Sequence, residues 1–496
     1  MGIVLAAVLA VPARASAKSV AVIVVPRSAP VFSAPDAAQG LLIAGEGATV
    51  SRRGALVSLL RGELGNSVVD SGIPGGSQKI SLARRPGVVT FYVTLPPPGR
   101  HHNVVRYPIA VRGPGYGGVL TSSSTHLTGL VSIADVAPSV LALRRGDRPV
   151  IRSHAVADPG AYLRDFDRRL TDAHDSRTGA LLVLVGLMVL LGVAALVSRS
   201  AALGRAAFLA APSCLVVSLL LSAAAITRPW HVFVALALGA AALALAGGRL
   251  LRLRLPLALG LVALFVFFFA ALWAQPRWNS LAALGARPDG GGRFYGVNNQ
   301  LATLLLSPAL VLGALSGPAL PGVALLVSAG IGVSTIGANG GGLLAFLVGF
   351  FALGLLLRDV RPTPLRVAVA LAVIAAAALA LVGIDAALGG SNHVTHAVGG
   401  GPGSLAGHFA HRLHLAAAYV AARWNQAVLF TASVAGLIVV ALLRPRVAVL
   451  DAFLVGLVVL LLVSDNPTDI AGLGALSAIV LRVWLGRTGE RLSGLD

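Results

Sequence analysis

Cysteine, lysine and carboxylates are scarce in this chain. A single cysteine, Cys214, stands among 496 residues and falls in an apolar run. One chain therefore has neither a disulfide framework nor a thiolate metal site. Lysine occurs only at Lys18 and Lys79, and Asp and Glu together number 19 against 39 Lys and Arg. Charged residues make up 12% of the sequence, where a soluble domain carries about 25%. With 56% hydrophobic residues and a mean hydropathy of +0.85, most of the chain belongs in lipid. A net charge of +20 could suggest a nucleic-acid partner. The arginines exclude that reading, because many of them sit at the ends of apolar runs, the pattern that orients membrane helices.

Residues 2–11 are apolar and Ala15-Ser16-Ala17 is a small-residue cleavage pattern, so residues 1–17 are expected to be a signal peptide, with an uncleaved anchor helix as the alternative. Residues 18–177 differ in composition from the remainder of the chain. Lys18–Val25 reads as a buried strand closed by Pro26, and Val88–Leu95 and Tyr107–Arg112 read as further strands. Ser132–Leu143 reads as a helix with Asp135 in its first turn, and the charged stretch Arg144–Arg177 as a surface segment leading to the membrane. From Thr178 to the end, apolar runs recur at 178–198, 206–227, 231–248, 255–274, 299–316, 320–336, 341–357, 366–384, 427–443, 447–463 and 470–486. Each approaches the ~20 residues that span a bilayer. The expected fold is mainly α: a polytopic membrane bundle of about eleven transmembrane helices with an N-terminal α/β domain. Periodicity leaves open whether 320–336 and 341–357 form a re-entrant pair.

Arginine placement orients these runs. Arg199 and Arg205, Arg249 to Arg254, Arg358 to Arg366, Arg444 and Arg446, and Arg482 to Arg491 mark alternate ends, which are then cytoplasmic. The expected location is the cell membrane, with residues 18–177 extracytoplasmic and the C-terminus cytoplasmic. Four polar islands fall together on the outer side: 293–300 (RFYGVNNQ), 337–342 (GANGGG), the His/Arg-rich part of the outer loop 385–426, and 464–469 (SDNPTD). Polar groups at membrane depth are costly and mark sites. Arg277, Arg287, Arg293, Arg412 and Arg423 break the orientation rule on that side. They are either incidental or hold an anion, since guanidinium pairs with phosphate or carboxylate in a fixed fork.

The islands have bland readings too. Asn298, Asn299 and Gln300 open a helix, where Asn298 is a cap or the backbone N–H groups hold an anion. The glycines around Asn339 permit a turn or a close helix contact. Leu405–Asn425 reads as a helix with His408, Arg412, Tyr419 and Arg423 on one stripe, either a site or a basic face lying on the membrane. Zinc on His408, His411 and His414 fits poorly, because the last two point away from the first and no carboxylate or Cys completes the set. Asp465, Asn466 and Asp469 cap the last helix, supply an acid/base group or form a cation site.

Tyr107–Leu143 resembles the C-terminal portion of alkaline-phosphatase/sulfatase-like domains, with Gly113-Pro114-Gly115 as the turn and Asp135-Val136-Ala137-Pro138-Ser139 as the helix start. The resemblance implies metal-dependent phosphate-ester hydrolysis. This chain departs from it: Pro26 stands where a metal-binding Asp belongs, and residues 18–134 hold only Asp36, Glu46, Glu63 and Asp70 as carboxylates. Two-metal hydrolysis needs several converging carboxylates and imidazoles. The domain is therefore expected to be a shortened, catalytically dead relative. Residues 290–465 loosely resemble the O-antigen ligase and polymerase family, through Gly292-Arg293-Phe294-Tyr295-Gly296 and Asn298-Asn299, with Asn339-Gly340-Gly341 standing where that family has Ser-Arg-Gly. That resemblance implies metal-independent glycan transfer from a polyprenyl-diphosphate carrier, without a cofactor. The combination of both parts is similar to a group of bacterial polytopic membrane proteins.

The leading expectation is a transferase or polymerase of a lipid-linked envelope glycan. His408 or Asp465 would be catalytic, and Arg293, Tyr295, Asn298, Asn299, Asn339, Arg412 and Arg423 would bind substrate. Membrane lipids and the polyprenyl-diphosphate-linked glycan are the expected partners, and nucleic acid is excluded. A non-catalytic envelope scaffold and a transporter or flippase are the alternatives; a transporter would show internal repeats and midplane helix breaks, and no clear repeat is visible.

Overall fold

A computed structural model describes residues 19–64, 78–290, 293–360, 363–387, 410, 413–414, 416–418, 420–421, 423–464 and 466–487. The expected signal peptide, His408, His411, Arg412, Tyr419 and Asp465 lie outside the described residues. Those up to Phe166 form one compact unit and those from Asp167 form a second.

The first unit is built on a mixed sheet. Its strands are β1 (Val20–Val24), β2 (Ala37–Ile43), β4 (Val89–Val93), β6 (Tyr107–Arg112), β7 (Val119–Ser122), β8 (Leu130–Ser132) and β9 (Ile151–His154). Their order is β1-β4-β6-β2-β7-β9, with β8 also paired to β2. A separate two-stranded ribbon joins β3 (Thr49–Ser51) to β5 (Arg100–His102). Three strands and the 132–143 helix fall where the β-branched runs and the Asp135 start place them. The core holds Val22, Leu42, Phe91, Ile109, Val111 and Leu120, side chains whose alternation along pleated strands buries one face. Helix α1 (Arg52–Arg61) is capped by Ser51, whose side chain accepts from the Gly54 N–H. Helix α2 (Val136–Arg145) follows a single 3-10 turn at Ile133–Asp135.

Asp135 ties this unit together. Its Oδ2 accepts from Ser122 Oγ and Ser124 Oγ, each at 2.7 Å, and from the Ser132 N–H at 3.1 Å. Burial pushes the carboxyl above its usual range, and these hydrogen bonds only partly oppose the rise. Asp135 is thus a buried acid that closes the capping box of the 3-10 turn before α2 and pins the Ser/Thr-rich loop to it.

The second unit is helical. The helix α3 (Pro159–Ser198) begins in the first unit and runs 40 residues without a break, so the expected surface segment is largely the start of this helix. The other helices are α4 (Ala201–Ala223), α5 (Pro229–Leu250), α6 (Arg254–Ala274), α7 (Pro276–Leu281), α8 (Asn299–Leu315), α9 (Leu320–Gly332), α10 (Gly340–Leu356), α11 (Pro364–Ala387), α12 (Trp424–Leu442), α13 (Ala448–Leu462) and α14 (Pro467–Arg487). Seven helices (α3 to α6, α11, α12 and α14) are long and apolar enough to cross a membrane. Four shorter apolar helices, α8, α9, α10 and α13, occupy the remaining runs.

Helix α8 is the hub. Every residue from Leu301 to Ala314 is buried, and α4, α6, α9, α10, α13 and α14 all pack on it. At 17 residues it is about 25 Å long, less than the ~30 Å hydrocarbon layer. Asn298, Asn299 and Gln300 at its start are half-buried and bond to neighbouring segments of the protein. Helices α4 and α5 approach closely at Gly248, where a Cβ would stand 2.4 Å from the Ala202 carbonyl.

Asp135 gives the first testable consequence. A raised folded pKa contributes stability fully present below the unfolded value, about 4, and lost as pH rises through the folded value. Protection of residues 130–140 from hydrogen exchange, corrected for intrinsic rates, should therefore fall as pH rises above that value. Asp135→Asn keeps the acceptor and should flatten the dependence; Asp135→Ala should cost about 2 kcal/mol. An unchanged pH slope in Asp135→Asn would assign the effect to another group.

Candidate functional site at three converging helix starts

The loop 276–298 enters α8, the turn 333–339 joins α9 to α10, and residues 463–466 join α13 to α14. Hydrogen bonds knit these segments into one polar patch, so three of the four islands meet. The Val297 N–H donates to the Gly337 carbonyl at 2.7 Å. Gly296 makes that approach possible: its φ is +76°, and a Cβ there would stand 2.4 Å from the Gly337 oxygen.

Asparagines cap two of the helices. Asn298 Oδ1 accepts from the Leu301 N–H at 2.8 Å, and its Nδ2 donates to the Gly285 carbonyl at 2.9 Å. Asn339 Oδ1 accepts from the Gly342 N–H at 2.8 Å, while its Nδ2 donates to the Val297 carbonyl at 2.9 Å and to Asn299 Oδ1 at 3.2 Å. Asn299 Nδ2 in turn donates to Ser464 Oγ at 3.0 Å. One side-chain chain thus links the starts of α8 and α10 to the loop before α14. Helix α14 opens with Pro467, preorganised for a first helical position.

Asp469 lies in the first turn of α14. Gln300 Nε2 and Asn466 Nδ2 both donate to its Oδ2. Arg287 Nη2 donates to Gln300 Oε1 at 2.7 Å and orients that amide. Among the described residues, both side-chain hydrogen bonds of Asp469 fall on the same oxygen. Nearby, Asn466 Oδ1 and the buried Thr468 Oγ1 have no hydrogen-bond partner among the described residues. The structure therefore brings three helix N-termini, Arg287 and a positioned carboxylate to one place.

Other expected site residues have other occupations. Arg293 Nη1 donates to the Ala338 carbonyl at 2.9 Å and reaches the Gly337 carbonyl at 3.4 Å, so it clamps the turn before α10. Tyr295 is buried and donates to the Ser334 carbonyl at 2.8 Å. Burial pushes its phenol up to about 12, with Arg293 opposing and Asp385 adding to the shift. Ser334 N–H and Oγ donate to Asp385 Oδ1 at 3.0 and 2.8 Å. Arg423 is exposed just before α12, and among the described residues no hydrogen bond joins it to Arg293. His408, Arg412 and Asp465 are outside the described residues.

A buried ion cluster escaped the sequence reading. Asp289 is 4% exposed, and Arg177 Nη1 lies 2.5 Å from it. His174 Nδ1 lies 2.5 Å from its Oδ2, and Arg177 Nη2 reaches the Ala286 carbonyl at 3.4 Å. Burial alone would raise Asp289, but His174 and Arg177 outweigh it and hold the carboxyl well below the usual range. The signals were present: Asp289 is the one acid in a loop otherwise bearing Arg277, Arg287 and Arg293, and His174 and Arg177 share a face at i, i+3 spacing.

Among the described residues, no three His, Cys, Asp or Glu side chains gather as a metal-binding group. His101 and His102 lie on β5, where His101 Nε2 is 3.0 Å from the Pro98 carbonyl. Comparison of the chain with protein-family models, curated proteins and solved structures finds no match. What the fold defines is a class: a mainly helical, membrane-embedded protein with a small α/β unit.

Three variants test the ion cluster and the patch. Arg177→Ala leaves the Asp289 charge buried and should cost about 3–5 kcal/mol in thermal unfolding followed by circular dichroism in nanodiscs. The double variant Arg177→Met/Asp289→Asn should cost less than Arg177→Ala alone. Asn339→Ala removes a cap and two donated bonds and should cost about 2 kcal/mol. A neutral Arg177→Ala would show that the cluster adds nothing to stability.

Proposed function

We propose that the protein is a polytopic cell-envelope membrane protein that transfers or polymerises a lipid-linked glycan on the outer side of the membrane. The observation that carries this reading is the convergence of the α8, α10 and α14 N-termini beside Arg287 and Asp469. Helix N-termini present free N–H groups and the positive end of the dipole, which favour a phosphate or diphosphate. Arg287 adds a fixed cation beside them. Asp469, held on one oxygen, leaves the other to take a proton from an acceptor hydroxyl, the work of a general base.

In this reading all eleven apolar helices cross the membrane, and the three other short ones, α9, α10 and α13, pack on α8 where protein replaces lipid. The N-terminal unit and the loops 275–298, 385–426 and 464–469 are extracytoplasmic. Exposed tryptophans support that depth: Trp230 and Trp273 at 69% and Trp424 at 81% exposure stand at the start of α5, the end of α6 and the start of α12. By chain alternation these ends share the side of the polar patch, and tryptophan concentrates at the membrane interface.

A second reading has its own support. Arg293 is spent on the carbonyls of a turn, and Asn298 and Asn339 are spent on caps, as expected of a scaffold that holds its helix starts together without chemistry. Asp469→Asn separates the two. Proteoliposomes would be supplied with a polyprenyl-diphosphate-linked oligosaccharide and assayed for transfer of labelled sugar. Transfer should fall on the order of a hundredfold or more, with the melting temperature unchanged. Wild type should also retain polyprenyl diphosphate over the free polyprenol in native mass spectrometry. Equal retention of both lipids, with no transfer, would leave the scaffold.

The topology is tested separately. In a Cys214→Ala background, a cysteine replacing Val398 should react with an impermeant thiol reagent in intact cells, and one replacing Thr488 should not. The reverse pattern would invert the assignment.

A further inference from the structure

A small cavity lies in the helical unit near the end of α4. Ser176 of α3, Ser218 and Ser222 of α4, Thr227 before α5, Val232 of α5 and Leu281 of α7 help to line it. All of them belong to the second unit, and the three serines are buried. The volume is about 10 Å³, room for about one water.

The hydrogen bonds around this cavity do not close. Ser222 is 2% exposed, and its Oγ has no hydrogen-bond partner among the described residues. A buried hydroxyl left that way is costly. Ser218 stands one turn earlier on the same face of α4. Its Oγ accepts from the Leu284 N–H at 3.1 Å, and among the described residues its own hydrogen has no acceptor. Ser176 Oγ donates to the Asp172 carbonyl and Thr227 Oγ1 to Asp172 Oδ2, each at 2.7 Å, so both oxygens keep lone pairs to accept with. Two hydroxyl hydrogens and two accepting oxygens thus border one small space.

We propose that this cavity is the binding site of one ordered water, which takes the Ser222 hydroxyl as its partner and draws its remaining bonds from Ser218, Ser176 and Thr227. A water both accepts and donates, so it can use hydroxyls of both kinds. A sodium ion would leave the Ser218 and Ser222 hydrogens without an acceptor, and the lining holds no carboxylate to balance its charge. An apolar guest would leave Ser222 as it stands. The water joins α3 and α4 to the loop that leads from α7 towards α8. A water-mediated bond is nearly as favourable in enthalpy as a direct one, so the contact holds three segments together where no direct bond reaches.

The test is X-ray footprinting of the full chain in nanodiscs, equilibrated in heavy-oxygen water. Radiolysis oxidises a buried side chain only where a water lies beside it, and the heavy isotope marks oxygen that came from water. Leu281 and Val232 are 3% and 4% exposed, and both should take up heavy oxygen. Leu236, one turn beyond Val232 on α5 and 0% exposed, should take up none. Ser222→Val puts methyl groups into the cavity and should abolish uptake at Leu281. Ser222→Ala, the milder change in a helix, removes one partner and should reduce it. Exchanging sodium for N-methylglucamine should alter neither the uptake nor the melting temperature. Uptake at Leu281 no greater than at Leu236, or uptake as strong in Ser222→Ala as in wild type, would overturn the site. A dependence of uptake or melting on sodium would make the guest a cation and overturn the proposal equally. No lining residue belongs to the Asp469 patch, so either result leaves the transfer reading where it stands.

Discussion

A backbone group at membrane depth finds its hydrogen bond inside the protein or loses several kcal/mol, and the helical unit is arranged around that constraint. Helix α8 is buried along nearly its whole length. Its first N–H groups and the loop that enters it must be satisfied by neighbours. Asn298 takes the Leu301 N–H, the Gly337 carbonyl takes the Val297 N–H, and Asn339 takes the Val297 carbonyl. Asn279 Nδ2 donates to the Gly296 carbonyl at 2.7 Å and Ser280 Oγ to the Phe294 carbonyl at 2.7 Å. These partners come from the loop before α8 and from the turn before α10. The loops are therefore held together by the same bonds that make a buried helix start tolerable.

Charge is managed by the same economy. Asp289 is buried yet stays ionised, because Arg177 and His174 from α3 reach it. A folded pKa below the unfolded value contributes stability that is present above the unfolded value and lost only as pH falls through the folded one. Asp289 is thus ionised throughout the neutral range, and with Arg177 it ties the start of the first apolar helix to the loop that leads into α8. Its worth lies in fixing position, since a buried pair seldom adds net stability over apolar packing, while a half-removed pair is strongly destabilising.

Much of this was legible in the sequence. The eleven apolar runs each became a helix, because apolar length is a strong signal and little else competes with it. Strands β1, β4 and β6 were legible from β-branched runs. Strand β2 was not: Ala37, Ala38, Gln39 and Gly40 have low strand propensity, and their place is decided by pairing on both sides. Bringing three of the islands together required only alternation. The role of Arg293 required distance, because an arginine beside a helix start looks the same in sequence whether it holds a ligand or a carbonyl. Asp289 and Arg177 are 112 residues apart, beyond the reach of any local pattern.

Scarcity of carboxylates makes the position of each one informative. In the helical unit Asp289 is matched by a guanidinium, and Asp451 by Arg446 at 3.2 Å. Asp172 accepts from Thr227 and Asp385 from Ser334. Asp469 shares neutral donors with Asp172 and Asp385, but it is held by two side-chain amides. Its two side-chain donors are the neutral amides of Gln300 and Asn466, which fix one oxygen without cancelling the charge. The nearest guanidinium in this chain of bonds, Arg287, acts one residue removed, through Gln300. Two amides thus orient the acid, and Arg287 orients one of them, Gln300, an arrangement that supports the proposed role of Asp469 as a base. This arrangement makes the Asp469 patch the place to look for chemistry.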